Sequence, residues 1–224
     1  MSDGLFWDSV PENTRGALEA VKALPMLSDF YLAGGTALAL QIGHRVSHDL
    51  DFFSSNNQLQ FAERTALTTQ LQQLNNVTIH RETDTMVYAT VMGVEASFIY
   101  QHHPLLYSVT DWENVAIAGL LDIGLMKFSA IKDRGTRRDF VDIYCLREAA
   151  PLPALFDLIP QKYYDRPDFA IQLAYGLRYF DDAENDPREL VLKRPVRWQD
   201  VKKYCEAGAR LLTQINIGLQ PKGL

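Results

Sequence analysis

The sequence predicts an α+β protein, with a mixed sheet flanked by helices in its first half and a helical region after it. Three observations carry this. The segments VTIHRETDT, VYATVMG and EASFIYQ, between Leu74 and His102, cluster or alternate β-branched and aromatic residues between turn-like breaks, as a meander of strands does. Ahead of them, the short apolar stretches Asp29 to Ala33 and DLDFF flank the run TALALQIG, whose helix formers are too uniformly apolar for a surface helix and therefore pack on a sheet. From Trp112 onward, helical patterns cover Val115 to Arg134, Arg137 to Ala149, Pro167 to Phe180 and Trp198 to Ile215, joined by Pro-containing connectors at 151–153 and 187–195.

In chain order, Ser9-Val10-Pro11-Glu12 reads as a helix start, with a side-chain oxygen at the cap, Pro in the first turn and Glu completing a capping box; this helix should reach about Leu24. Gly34-Gly35 ends the first strand, Thr36 to Gly43 forms the next helix, DLDFF the second strand, and Phe61 to Leu74 another helix. No long polar linker or internal repeat interrupts the chain. A boundary is expected near residue 110, giving a core over 1–110 and a helical domain over 111–224 that packs on it and contributes to its site.

The 224 residues are 47% hydrophobic, which suits a globular protein with a substantial core. With a formal net charge of -6 there is no global basic field, so a nucleic-acid partner would have to meet a local cationic patch. The densest basic clusters are Lys132, Arg134, Arg137 and Arg138, then Lys193, Arg194, Arg197, Lys202 and Lys203; YYDRPDF and Trp198 offer rings that could stack on bases, or simply pack in the core. Met1 to Val10 lacks the basic and apolar pattern of a secretory signal, and apolar runs such as Val115 to Leu121 fall far short of the roughly 20 residues that span a bilayer. Cys145 and Cys205 stand isolated, so neither a zinc site nor a disulfide framework is indicated and a cytoplasmic setting is expected.

The chemistry concentrates in YLAGGTALALQIGHRVSHDLDFFSS, Tyr31 to Ser55. In a strand, Asp49 and Asp51 share one face while Leu50 and Phe52 share the other. Two carboxylates held that close repel unless a cation sits between them, and hard oxygen donors suit Mg²⁺ or Mn²⁺ better than zinc. A strand that ends in Gly-Gly and turns into a helix lets phosphate approach backbone N–H groups at the positive helix end, where Thr36 adds a hydroxyl. Ser47 falls on the Asp49 face, and Arg45 adds a cation. Each half has a structural alternative: the glycines as a plain turn, and the acids as an edge-strand face paired with Arg45 or His48.

The spacing of Gly-Gly from Asp-x-Asp between apolar residues resembles the DNA polymerase β-type nucleotidyltransferase signature, and LAGGTALALQIGHRVSHDLDFF resembles in particular the AbiEii-type toxin branch. A second block, LMKFSAIKDRGTRRDFVDIYCL, is similar to that branch's Lys-containing helix followed by Arg/Lys-Asp-x-x-Asp. The resemblance implies a polymerase β-like core and a metal-dependent enzyme that transfers NMP from an NTP to an acceptor, by analogy RNA such as the 3′ end of tRNA. Its biological setting would be a toxin–antitoxin or phage-defence system with a partner antitoxin. It implies that Gly34, Gly35 and Thr36, with Arg45 and Ser47 beside them, hold the nucleotide, and that Asp49 and Asp51 bind Mg²⁺ or Mn²⁺. Lys127 would neutralise phosphate charge, and Asp139 or Asp142 would complete the catalytic set.

The second block also has a structural alternative, in which Thr136 caps a helix with Asp139 at its third position and Arg138 pairs with Asp142. The chain departs from the superfamily where a third acid is usual: Ser97 occupies that place on GVEASFIYQ, with Glu95 two residues earlier on the same face. Either Glu95 substitutes, or Asp139 and Asp142 assist, or the domain is a catalytically weakened module that binds nucleotide or protein. A phosphohydrolase using the same Asp pair is a further alternative.

Overall fold

The computed structural model describes residues 4–216, so positions 1–3 of the Met1 to Val10 stretch lie outside the described residues. The chain divides into two compact units, Met1–Gly119 and Leu120–Leu224.

In the first unit a seven-stranded mixed sheet is built from β1 (Tyr31–Leu32), β2 (Leu50–Ser54), β3 (Val77–Thr83), β4 (Met86–Val91), β5 (Val94–Tyr100), β6 (Thr110–Trp112) and β7 (Val115–Ile117), in the order β3-β4-β5-β2-β1-β7-β6. The pairs β2/β5 and β1/β7 are parallel and the other neighbours antiparallel. β4 and β5 are joined through Met92 and Gly93, both at positive φ (52° and 82°), the backbone that a two-residue hairpin needs to match strand twist. Side chains alternate cleanly. Val87, Ala89, Val91, Ala96, Phe98, Leu50 and Phe52 are buried, while Tyr88, Thr90, Ser97 and Asp51 on the opposite face are only partly covered and Glu95 is exposed.

The helices of this unit are α1 (Glu12–Lys22), α2 (Gly34–Ile42) and α3 (Phe61–Leu71). α1 buries Thr14, Ala17, Leu18 and Val21, one stripe at helical spacing. Its cap is Pro11 and not the expected Ser9, because Ser9 closes a preceding 3-10 turn, Trp7–Ser9. α2 buries five consecutive residues, Thr36 to Leu40, as its apolar run requires.

The second unit contains α4 (Leu120–Asp133), α5 (Arg137–Leu146), α6 (Leu152–Lys162), α7 (Phe169–Gly176), α8 (Asp181–Glu184) and α9 (Trp198–Asn216). α4 packs against α5, α6 and α7, and α9 against α5 and α7. Phe128 stacks on Phe156 with ring centroids 5.5 Å apart, and Tyr163 on Phe169 at 3.8 Å, so the first tyrosine of YYDRPDF is core. Lys162 donates to Asp122 at 2.9 Å with both side chains fully buried.

Two boundaries differ from expectation. Residues 115–117 pair as β7 and do not begin a helix, so the sheet extends past residue 110 and the first unit ends at Gly119. The expected connector at 151–153 is the first turn of α6, where Pro151 caps the helix and Pro153 sits at a position that needs no N–H donor.

Candidate active site

β1 delivers the chain to Ala33, whose N–H donates to the Asp51 carbonyl at 2.9 Å, and α2 starts directly afterwards. Gly34 has φ +65°, and a Cβ placed on it would lie 2.5 Å from Asp51 Oδ2. A side chain there would therefore collide with the carboxylate, and only glycine allows the acid to rest against the first turn of α2. A Cβ on Gly35 would strike the Arg45 guanidinium and lie 3.1 Å from Ser47 Oγ. Arg45 is buried, and its Nη1 donates to the Val46 carbonyl at 3.1 Å.

The segment from Gly43 to Asp49 is pinned from several directions. Gly43 ends α2 in the left-handed conformation, φ 62°. The Ser47 N–H donates to the Ser9 carbonyl at 3.0 Å, and the Thr14 hydroxyl to the His48 carbonyl at 3.0 Å. Thr36 is buried, shares a 3.0 Å hydrogen bond with Ser47 and donates to the Asp49 carbonyl. Asp49 lies immediately before β2 and Asp51 within it, and both are only partly covered.

Across the sheet, Asp51 pairs in register with Ser97, and Ser97 with Tyr88, so these three side chains form a row on one face. Tyr88 has its phenol pushed up to about 12, first by desolvation, then by its hydrogen bond to Glu95 and by the charges of Glu95 and Asp49. Glu95 and Asp49 thus act on the same hydroxyl, which stays protonated and donating near neutral pH. Tyr88 was not singled out from the sequence, although its place opposite the buried Val87 and Ala89 marks it as a polar-face residue. Thr14 was also missed, because a threonine within an apolar helical stripe gives no local sign of a partner in another segment.

The sequence-predicted residues therefore fall into two groups. Gly34, Gly35, Thr36, Arg45, Ser47, Asp49 and Asp51 come together in the first unit. Lys127, Asp139 and Asp142 come together in the second, where Lys127 Nζ lies 2.8 Å from Asp139 Oδ1 and 2.7 Å from Asp142 Oδ2, all three buried. The other Asp139 oxygen accepts from the Thr136 N–H at 3.1 Å and the Thr136 hydroxyl at 2.6 Å, which closes a capping box at the start of α5. Burial alone would raise the Asp139 carboxyl, but the Lys127 charge and the hydrogen bonds from Lys127 and Thr136 outweigh it and hold the group below its ordinary range.

A family model described as nucleotidyl transferase AbiEii toxin, of type IV toxin–antitoxin systems, matches residues 17–214. The chain belongs to the AbiEii family. This AbiEii nucleotidyltransferase is 35% identical over 199 residues to the uncharacterized protein aq_aa25 of Aquifex aeolicus (strain VF5), covering 85% of this chain and 91% of that protein. Among solved structures it is similar to JHP933 from Helicobacter pylori, at 20% identity and a TM-score of 0.53, over 93% of this chain and 95% of that one. It is also similar to MenT4, nucleotidyltransferase toxin Rv2826c from Mycobacterium tuberculosis H37Rv, at 14% identity and a TM-score of 0.48, over 90% and 88% of the two chains. The AbiEii assignment bears out the family expected from the glycine turn and the acidic strand, and the seven-stranded mixed sheet followed by helices bears out the expected α+β fold. Among the described residues no helix is long and apolar enough to cross a membrane.

Proposed function

We propose that this AbiEii-family enzyme transfers NMP from an NTP to an RNA acceptor, with the 3′ end of tRNA as the acceptor to test first, and that Asp49 and Asp51 hold Mg²⁺ or Mn²⁺ for the reaction. The observation that carries this reading is the seating of Asp51 Oδ2 against Gly34, which puts an acid next to backbone N–H groups suited to phosphate. The donor set fits the ion: two partly covered carboxylates offer hard oxygens on the polar side of the sheet. A bound divalent cation would neutralise charge on the triphosphate and on the leaving pyrophosphate.

In this reading the protein's own groups do the positioning. The Gly34-Gly35 turn receives the phosphates, the buried Arg45 guanidinium and Ser47 lie behind it and add positive charge and a hydroxyl to that turn, and Thr36 holds the Asp49 backbone in place. An acceptor hydroxyl oxygen forms a bond to the α-phosphorus as the bond to the β-phosphate oxygen breaks and pyrophosphate departs. Glu95, fixed by Tyr88, supplies the third carboxylate in place of Ser97 and takes the acceptor proton. Lys127 engages two buried carboxylates, so we read Lys127, Asp139 and Asp142 as the buttress that sets α5 on α4. An NTP substrate fits a cytoplasmic setting, and a type IV system supplies an antitoxin as genetic partner.

Incubating the purified protein with each labelled NTP, Mg²⁺ and total RNA should place label on RNA. Ser97 beside Asp51 favours a second reading, a weakened module that binds nucleotide without transfer. NTP binding with no labelled product would support that reading, and label on protein would redirect the acceptor.

A further inference from the structure

The positive charge of this chain is unevenly divided. Only Arg15, Lys22, Arg45, Arg64 and Arg81 lie in the first unit, and every other lysine and arginine falls in the second. Within the second unit, much of the basic character of the later cluster is internally engaged: Arg197 pairs with Asp200 at 2.7 Å and Lys202 with Glu184 at 2.8 Å. Arg137 lies over Trp198, its guanidinium carbon 4.9 Å from the ring centroid, while Trp198 packs edge-on against Phe140 and Phe180. These contacts tie that tryptophan and those cations to neighbours within the unit.

The end of α4 and the exposed side of α7 are different. Between them runs a groove of about 680 Å³, whose lining includes Lys132, Arg134, Tyr175, Arg178 and Tyr179. Gly176 sets its floor: a Cβ there would lie 2.9 Å from the Ile131 carbonyl oxygen, so glycine lets the two helices approach backbone to backbone. Tyr175 and Tyr179, four residues apart, line this groove and are 75% and 53% exposed, so both rings are open to solvent there. Lys132 is paired with Asp133, and Asp182 also lines the groove. Arg134 and Arg178 are both exposed and form no ion pair with any described residue. Two unspent guanidiniums beside two exposed phenol rings match the chemistry of a nucleic-acid single strand, whose phosphates take the cations and whose bases stack on the rings.

We infer that this groove is a binding site for single-stranded RNA, through which the enzyme holds its acceptor. The inference rests on the RNA-acceptor reading above. Tyr175 and Tyr179 each present a face to a base, Arg134 and Arg178 contact phosphate, and binding is tolerant of sequence because every base has a π-face.

The test uses the full chain and a fluorescein-labelled RNA single strand of about a dozen nucleotides, within the span such grooves cover, followed by fluorescence anisotropy across a salt series. Tyr175→Ala/Tyr179→Ala should weaken binding at least about tenfold, whereas Tyr175→Phe/Tyr179→Phe should retain it. Arg134→Ala/Arg178→Ala should flatten the dependence of log affinity on log salt by roughly 1.4, the contribution of two phosphate contacts on a single strand. Circular dichroism and Mg²⁺-NTP binding should match wild type in every variant. Wild-type binding that all these variants share would overturn the groove while leaving the RNA acceptor standing. A wild type that binds no RNA and labels none would overturn the acceptor reading and the groove with it. Loss of self-association in Tyr175→Ala/Tyr179→Ala, with RNA affinity unchanged, would make this face a protein interface and likewise overturn the proposal.

Discussion

The Thr36 hydroxyl donates to the main-chain carbonyl of Asp49 and shares a 3.0 Å hydrogen bond with Ser47, which ties the first turn of α2 to the residue that leads into the acidic strand. The isosteric change Thr36→Val removes that tie without opening a cavity. It should cost about 1–3 kcal/mol, the usual range when a buried polar partner is left unsatisfied. Because a small misplacement of a reacting group is costly, nucleotide transfer should fall by about tenfold or more. Thr36→Ser should recover most of both losses. Urea denaturation beside a transfer assay checks this, and a Thr36→Val enzyme of normal rate would show that Asp49 is positioned by other contacts.

Gly34 should be more sensitive than an ordinary first helical position. Its φ of +65° costs any other residue about 1–2 kcal/mol, and the added Cβ would sit 2.5 Å from Asp51 Oδ2. Gly34→Ala should therefore give a folded protein, with a melting temperature a few degrees lower, whose transfer activity falls far more than its stability. Parallel melting curves and transfer rates separate the two effects. Equal, small losses in both would reduce the glycine to a plain turn.

The Lys127 cluster should respond to pH and to truncation in a defined direction. The folded Asp139 carboxyl is held below its ordinary 3.8, so its contribution to stability is fully present above that value and is lost as pH falls through the lower folded one. Asp139→Asn should flatten the acid limb of the stability profile. Lys127→Met leaves two buried carboxylates without their cation and should cost about 3–5 kcal/mol. Denaturation midpoints between neutral pH and pH about 2 measure both. An acid limb unchanged in Asp139→Asn would contradict this account of the cluster.

Much of the glycine turn and acidic strand was legible in the sequence because their cues are local. A Gly pair, a run of helix formers and a period-two acid pair each follow from nearby residues, as does the Thr136–Asp139 capping box. Contacts between distant segments were not legible. Nothing around Thr14 signals that its hydroxyl meets the His48 carbonyl, and the clasp of Lys127 by both Asp139 and Asp142 depends on α4 meeting α5. β7 was hidden because Val115 to Ile117 runs without a break in hydrophobicity toward α4, and three apolar residues carry no period. α6 was hidden by Pro151 and Pro153, which mark a connector as readily as a helix start.

Glu95 and Ser97 divide the question of the third acid. Glu95 accepts the Tyr88 hydrogen bond, whereas Ser97 is the register partner of Asp51. Glu95→Gln should lower the transfer rate by about a hundredfold or more, the range lost with a general base, while Ser97→Ala should stay within about twofold. Steady-state kinetics at saturating NTP distinguishes them. The opposite ranking would place the proton acceptor elsewhere.

In the proposed mechanism Asp49 and Asp51 together grip a divalent cation against the glycine turn. Mn²⁺ titration followed by electron paramagnetic resonance, with NTP present, measures this without depending on turnover or on the acceptor. Wild type should bind Mn²⁺, and Asp49→Asn and Asp51→Asn should each weaken binding by about tenfold or more while melting like wild type, on the scale of a lost charged ligand. Mn²⁺ affinity unchanged in both variants would contradict the account.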